Sequence, residues 1–268
     1  LPVISITPRY NSGNVESIGE GVSVRFTSPL IRGSFLAREK RFTIHVRLDD
    51  GREVAAHTNN TGRMRGCLAP HCPIWLSAAA NPARKLPWTL ELVETTDETG
   101  PGIAAGVLVG VNTARANDLA VEAIGGGMVP GLDPTWQLRR EVPYGRQGSR
   151  ADILLTGPDN RRAWVEVKNV SLVENGHARF PDAPTARGRK HLEELATMVA
   201  AGDRAVLLFC VQRGDADSAG PADDIDPDYG VLLRSAMAVG VEVHALGMDV
   251  DTAGIVPARL LQVIVANR

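Results

Sequence analysis

The chain holds 268 residues, 44% of them hydrophobic and 22% charged, with 29 basic against 31 acidic side chains. That composition excludes an intrinsically disordered chain, and the near-neutral balance removes overall charge as an argument for a polyanionic partner. No apolar run is long enough to span a bilayer, and three cysteines (Cys67, Cys72, Cys210) in a chain of this length point to a reducing, cytoplasmic compartment rather than a disulfide framework.

Residues 1–24, rich in Ser, Asn and Gly, read as an appended tail that lacks the basic start and apolar core of a secretion signal. From residue 25 to about 95 the pattern is of short strands with turns between them. Thr43 to Leu48 alternates, Asp49-Asp50-Gly51 turns the chain, and Arg52 to His57 continues in strand fashion. Pro73 to Leu76 and Trp88 to Val93 come next, and a small closed barrel of the five-stranded OB type accounts for such spacing. Arg25 to Leu90 carries 11 Lys or Arg against 4 acids. In a neutral protein this segregation makes Arg32, Arg38, Lys40, Arg63, Arg65, Arg84 and Lys85 candidates for phosphate contact; a solvated face is the plainer reading of the same charges. Asn59 to Gly66 is a glycine-punctuated loop that suits either a tight turn or an anion cradle. Cys67, His71 and Cys72 lack the fourth ligand and the spacing of a zinc site.

Thr95 to Gly100 reads as a linker, Ile103 to Val111 as β-prone, and Asn112 to Ile124 as a helix that carries Glu122 and ends at Gly125-Gly126-Gly127. Trp136 to Val142 is a strand. The hairpin Ser149 to Ser171 organises the C-terminal half: Asp152 on its first strand, a turn at Gly157-Pro158-Asp159-Asn160, and Glu166 and Lys168 on its second. Alternation puts Glu166 and Lys168 on one face and Val165 and Val167 on the other. E-x-K alone equally describes a structural ion pair. With Asp152 folded alongside and Glu122 arriving from the helix, the group suits one or two Mg²⁺ (or Mn²⁺) held by Asp152, Glu166 and the Val167 carbonyl, with Lys168 orienting a water for attack on a phosphodiester. Beyond the hairpin, Asp182 or Thr185 caps a helix to about Ala201 with Leu192, Leu195, Ala196 and Val199 on its buried stripe. Ala205 to Val211 is a central strand, Asp215 to Asp228 an acidic loop without a base, Tyr229 to Val239 a helix and Val241 to Leu246 a strand.

The order helix, three strands, helix, strand, with D…E-x-K on the strands, resembles the PD-(D/E)xK nuclease superfamily. More closely, residues from about Arg25 to about Leu246 resemble the sugar fermentation stimulation protein family. The carrying segments are Arg25-Phe26-Thr27-Ser28-Pro29-Leu30, Asn60 to Cys67, Val111 to Asn117, Glu141 to Gly145 with Ser149 to Asp152, Val165 to Leu172, and Phe180 to Leu192. The resemblance implies a mixed α/β chain, an OB-like β-barrel (25–95) followed by a nuclease-like α/β domain (96–250) and a C-terminal extension (251–268). It implies DNA binding with little sequence preference and a regulatory link to sugar, notably maltose, metabolism. Asp152, Glu166 and Lys168 match the family's nuclease-like triad, with Glu122 as the helix acid. Asp182, Arg187, Lys190 and His191 match a run where a DNA-facing role is expected, and Arg150 joins them. His71 and Trp164 depart from the family pattern without touching a proposed ligand. The expected function is therefore a DNA binder that is also a Mg²⁺-dependent phosphodiester hydrolase, or one whose nuclease fold is silent; homo-oligomers stay open. A sugar-metabolising enzyme finds no support, since neither a glycosidase-like carboxylate pair nor a nucleotide-binding glycine motif is present.

Overall fold

The computed structural model describes residues 24–81, 83–145 and 148–266, so all of the expected tail except Val24 lies outside the described residues. After the short β1 (Val24–Arg25), five strands form the barrel: β2 (Ile31–Glu39), β3 (Thr43–Leu48), β4 (Glu53–His57), β5 (Pro73–Ala78) and β6 (Trp88–Glu94). Consecutive antiparallel pairings run β4-β3-β2-β5-β6, and a parallel contact of Ala56 with Trp88 and His57 with Thr89 closes the ring. The alternation of β3 is realised as expected: Ile44, Val46 and Leu48 point into the barrel core, while Arg47 is exposed. At Gly33 a Cβ would lie 2.7 Å from both Arg47 O and Val46 Cγ1, so only glycine lets β2 cross β3 this closely.

The strand β7 (Leu108–Gly110) pairs with β6, carrying the barrel sheet past the expected linker. Then come α1 (Ala114–Gly125), β8 (Gln137–Tyr144), β9 (Ser149–Thr156), β10 (Arg162–Val170), β11 (Leu172–Glu174), β12 (His177–Phe180), α2 (Ala186–Ala200), β13 (Arg204–Val211), β14 (Ser218–Pro221), α3 (Pro227–Ala238), β15 (Glu242–Val250), β16 (Gly254–Leu260) and β17 (Gln262–Val263). The main sheet has the order β1-β16-β15-β13-β10-β9-β8, with β8, β9 and β10 antiparallel and β10, β13 and β15 parallel. This is the layout that the helix, three strands, helix, strand order predicted. Helix α1 covers one face, with Leu119, Ala120 and Ile124 in one core with Val165, Val167 and Leu208. Helices α2 and α3 cover the other, with Leu192, Leu195 and Leu233 in a core with Trp164, Leu207 and Phe209. Apart from Arg204, β13 is wholly buried, as its unbroken apolar run requires of a strand covered on both faces.

Two expectations change. Residues 251–266 are no extension: β16 and β1 complete one side of the main sheet, and β17 joins β11, β12 and β14 in a small second sheet. The stretch Asp215 to Asp228 is also not unopposed acid. It contains β14, and Asp215, Asp223, Asp224 and Asp226 pair with Arg213, Arg234, Arg179 and Arg189, all contributed from outside the stretch. No helix among the described residues is long and apolar enough to cross a membrane.

The barrel is fixed to α1 by a buried carboxylate. Glu91, on β6 and 1% exposed, accepts from Ser77 Oγ (2.8 Å), Asn112 Nδ2 (2.9 Å) and Arg115 (2.9 and 3.2 Å). Asn112 in turn accepts from Asn59 Nδ2 at 2.6 Å, while Asn59 Oδ1 receives the Thr113 N–H at 3.1 Å. Glu91→Ala removes the acceptor from three donors at once and is expected to cost about 2–3 kcal/mol. A urea midpoint unchanged from wild type, measured by circular dichroism, would contradict the clamp.

Candidate functional site

A cleft of ≈ 1040 Å³ runs between the barrel and the α/β domain. Its floor is set by a break in the sheet. The β9–β10 ladder proceeds in register to Ile153 opposite Val165, and Asp152 and Glu166 are the next residues along. There the backbone pairing stops. The Asp152 side chain takes over, with Oδ2 accepting the Val167 N–H at 2.7 Å and Oδ1 accepting from Asn117 Nδ2 of α1 at 3.0 Å. Strand divergence therefore opens room where the two carboxylates sit, and a side chain satisfies the N–H that the ladder gives up.

Glu166 and Lys168 share the α2 face, as alternation predicted. Lys168 Nζ lies 2.5 Å from Glu166 Oε1 and 3.0 Å from His191 Nδ1, and His191 Nδ1 also contacts Glu166 Oε1. The structural ion pair that E-x-K alone allowed is thus present, and it is buried: Glu166 is 2% exposed. Burial pushes the Glu166 carboxyl up, but Lys168 and His191 together outweigh it and hold the group below its ordinary range. Asp152 goes the other way, driven up to about 6 by burial and by the charge of Glu166. Glu166 Oε2 is buried with no hydrogen-bond partner. The Tyr144 hydroxyl is buried close to Glu166 but without a hydrogen bond of good geometry, and its ionisation is driven up first by burial and then by the Glu166 charge.

These donors fit a hard cation. Two carboxylates from adjacent strands, one with an unused buried oxygen and one raised by like charge, together with the neighbouring Val167 backbone, make an oxygen-rich set of the kind Mg²⁺ or Ca²⁺ takes. Among the described residues no three His, Cys, Asp or Glu side chains form a ready-made metal group, so backbone or water oxygens would have to complete the set.

The predicted residues divide. Asp152, Glu166, Val167, Lys168 and His191 meet at the floor. His191, expected to face DNA, is 5% exposed and bonded to the E-x-K pair instead. Glu122 does not line the cleft. It lies five residues beyond Asn117 on α1, about 140° round the helix, so Asn117 is what α1 offers to Asp152. Arg38, Arg63 and Arg187 do line the walls. Arg38 commits its guanidinium to the Asn60, Gly62 and Arg41 carbonyls, holding the Asn59–Gly66 loop in shape. That loop is no open anion cradle: its Gly62 N–H goes to Asn60 Oδ1 and its Met64 N–H to Asp182 Oδ2. Arg32, Lys40, Arg65, Arg84, Lys85, Arg150 and Lys190 lie outside the cleft. Arg32 pairs with Asp49, Lys40 with Glu39, Arg84 with Thr89 Oγ1 and Arg150 with Glu141 O. The residues missed from sequence are Asn117, Arg41 and Arg179, all cleft-lining. Asn117 ends the Val111–Asn117 segment and Arg41 belongs to the basic excess of the barrel, so both had a signal; Arg179, paired with Glu174 and Asp224, had none.

A closed barrel set against a sheet that carries D…E-x-K at the shared cleft defines a two-part protein with a nuclease-like α/β domain. The SfsA N-terminal OB domain model matches residues 36–107 and the sugar fermentation stimulation protein RE domain model residues 114–254. A sugar fermentation stimulation protein homolog of Rhodospirillum centenum is 51% identical over 87% of this chain and 96% of its own. One of Thioalkalivibrio sulfidiphilus is 50% identical over 90% and 98%. The chain belongs to the sugar fermentation stimulation protein family. Among solved structures, Pyrococcus furiosus SfsA in complex with Ca²⁺ matches with a TM-score of 0.78 and 28% identity, over 91% of this chain and all of that one.

The pKa directions give opposite signs in separate windows. Glu166, depressed in the fold, adds stability above its unfolded value that is lost as pH falls through its folded value. Asp152, raised, makes the fold bind a proton that the unfolded chain has released, so its contribution falls as pH rises from about 4 to about 6. Carboxyl-carbon NMR should show Asp152 titrating near 6; a midpoint near 4 would contradict this picture of the floor.

Proposed function

We propose that this protein binds DNA with little sequence preference in the interdomain cleft and hydrolyses phosphodiester bonds there with Mg²⁺ or Mn²⁺. The observation that carries the reading is the unpartnered, buried Glu166 Oε2 beside Asp152 at the floor of a cleft whose rim exposes Arg41, Arg63 and Arg187. An orphaned carboxylate oxygen is costly to keep, and a cation would resolve it. Asp152, Glu166 and the Val167 carbonyl would hold the ion, which supplies a polarised phosphoryl oxygen and a more acidic water. Lys168, fixed between Glu166 and His191, orients the attacking water or offsets charge on the phosphoryl group. The rim arginines hold the backbone on both walls without reading bases. That the solved Pyrococcus furiosus relative is described with Ca²⁺, an oxygen-seeking cation, supports this donor set. A link to sugar metabolism would run through DNA occupancy, and the three free buried thiols suit a cytoplasmic setting.

Duplex binding should weaken with salt at a slope of about −2.7, the value for three neutralised phosphates. With Mn²⁺, wild type should cleave DNA, Lys168→Ala should lose on the order of a hundredfold or more, and Glu166→Ala should lose cation-dependent turnover. Activity that survives both substitutions would refute the site. Binding without turnover by wild type on any DNA or RNA substrate would leave a DNA binder with a silent nuclease fold.

A further inference from the structure

Next to the cleft, on the barrel, an aromatic ring lies open to solvent with no role in the floor chemistry. Phe42 is 48% exposed, in the tight turn between β2 and β3. It stacks on His57 of β4, with ring centroids 6.3 Å apart and planes within 12°. Burial, then the nearby charge of Arg84, lowers the His57 pKa, so that ring is neutral at physiological pH and backs Phe42 as a flat apolar support. Cations surround the pair. Lys40 and Arg41 directly precede Phe42, and Arg84 reaches in from the β5–β6 connection to bond Thr89 Oγ1, beside His57 in the closing strand pair. One acid, Glu39, is close, and Lys40 and His45 pair with it.

The ring is also tied to the cleft edge. Arg41 lines the cleft, and the Phe42 carbonyl accepts the N–H of Thr58, the residue before cleft-lining Asn59, at 2.9 Å. The turn itself is held to the cleft loop through Arg38. An exposed aromatic face ringed by cations, one residue from the arginine-lined cleft, matches how proteins hold unpaired bases: the ring stacks and the cations follow the backbone. In a duplex the bases already stack on one another and are not free to do so.

We propose that Phe42, backed by His57 and flanked by Lys40, Arg41 and Arg84, is a stacking platform for an unpaired base of a nucleic-acid strand leaving the cleft. The inference rests on the cleft being a nucleic-acid site, and it makes the preferred ligand one with a single-stranded arm.

Fluorescence anisotropy without divalent cation, on labelled oligo-dT, oligo-U and a blunt duplex, tests it apart from hydrolysis. Wild type should prefer single strands. Phe42→Ala should lower the ratio of single-strand to duplex affinity by about fivefold to about a hundred-and-fiftyfold, the range for one lost base stack, and Phe42→Trp should keep it. An oligo-dT with a fluorescent base analogue should be quenched on binding wild type and not on binding Phe42→Ala. Oligo-dT and oligo-U responding alike assigns the platform to bases in general; a response from one alone assigns it to that strand. A ratio unchanged in Phe42→Ala, or a wild type without single-strand preference, overturns the platform. If cleavage of duplex by wild type persists in that case, the cleft reading stands without it.

Discussion

The structure turns on one buried carboxylate. Glu166 is almost wholly removed from water on a central strand, a position that would ordinarily neutralise it. It stays charged because Lys168, two residues on along the same face, and His191, from the first turns of α2, both approach one of its oxygens. Each neighbour is placed by a regular element: the strand period sets Lys168, and the buried stripe of α2 sets His191 beside Leu192 and Leu195. With one oxygen committed, the other is buried without a partner, alongside an Asp152 that burial and then the Glu166 charge push up to about 6. Isolated buried ion pairs seldom stabilise a fold, so this one is costly to keep, and the proposed cation would offset that cost.

The second wall of that site belongs to a different domain, and both polar contacts and shared apolar packing set its placement. Glu91 joins β6 to Asn112 and Arg115, Asn59 bridges to the start of α1, and Asp182 receives the Met64 N–H from across the cleft. Arg213, fully buried and paired with Asp215, bonds Ser171 O at 2.9 Å and reaches the barrel at Gly66 O, 3.5 Å away. Trp75 and Leu92 of the barrel join the α1 core beneath these contacts. The exposed cations Arg41 and Arg63 are thus carried on a wall held in register with the carboxylates.

Much of this was legible in the sequence where local pattern and tertiary demand agree. The apolar run of β13, the alternation of β3 and the stripe of α2 each state their own burial. E-x-K on an otherwise apolar strand states that something must offset two buried charges. What the sequence hid depends on pairing. Strand β2 is broken by Gly33 and by a register shift between Phe35 and Ala37, so its alternation is lost. Strand β14, Ser-Ala-Gly-Pro, has no strand propensity and exists because β12 and β17 flank it. Glu122 was the natural acid to expect on α1, but helical phase turned Asn117 toward the site. His191 looked like a surface cation because the residues around it, Arg187, Arg189 and Lys190, are charged; only the packing of α2 on β10 shows it turned inward.

A cation joining Asp152 and Glu166 is the central claim, and anomalous diffraction from crystals soaked in Mn²⁺ observes it directly. The expected result is a peak about 2.1 Å from an oxygen of each carboxylate and within reach of the Val167 carbonyl. A well-ordered soak with no peak at the cleft floor, or with Mn²⁺ bound only elsewhere on the chain, would contradict it.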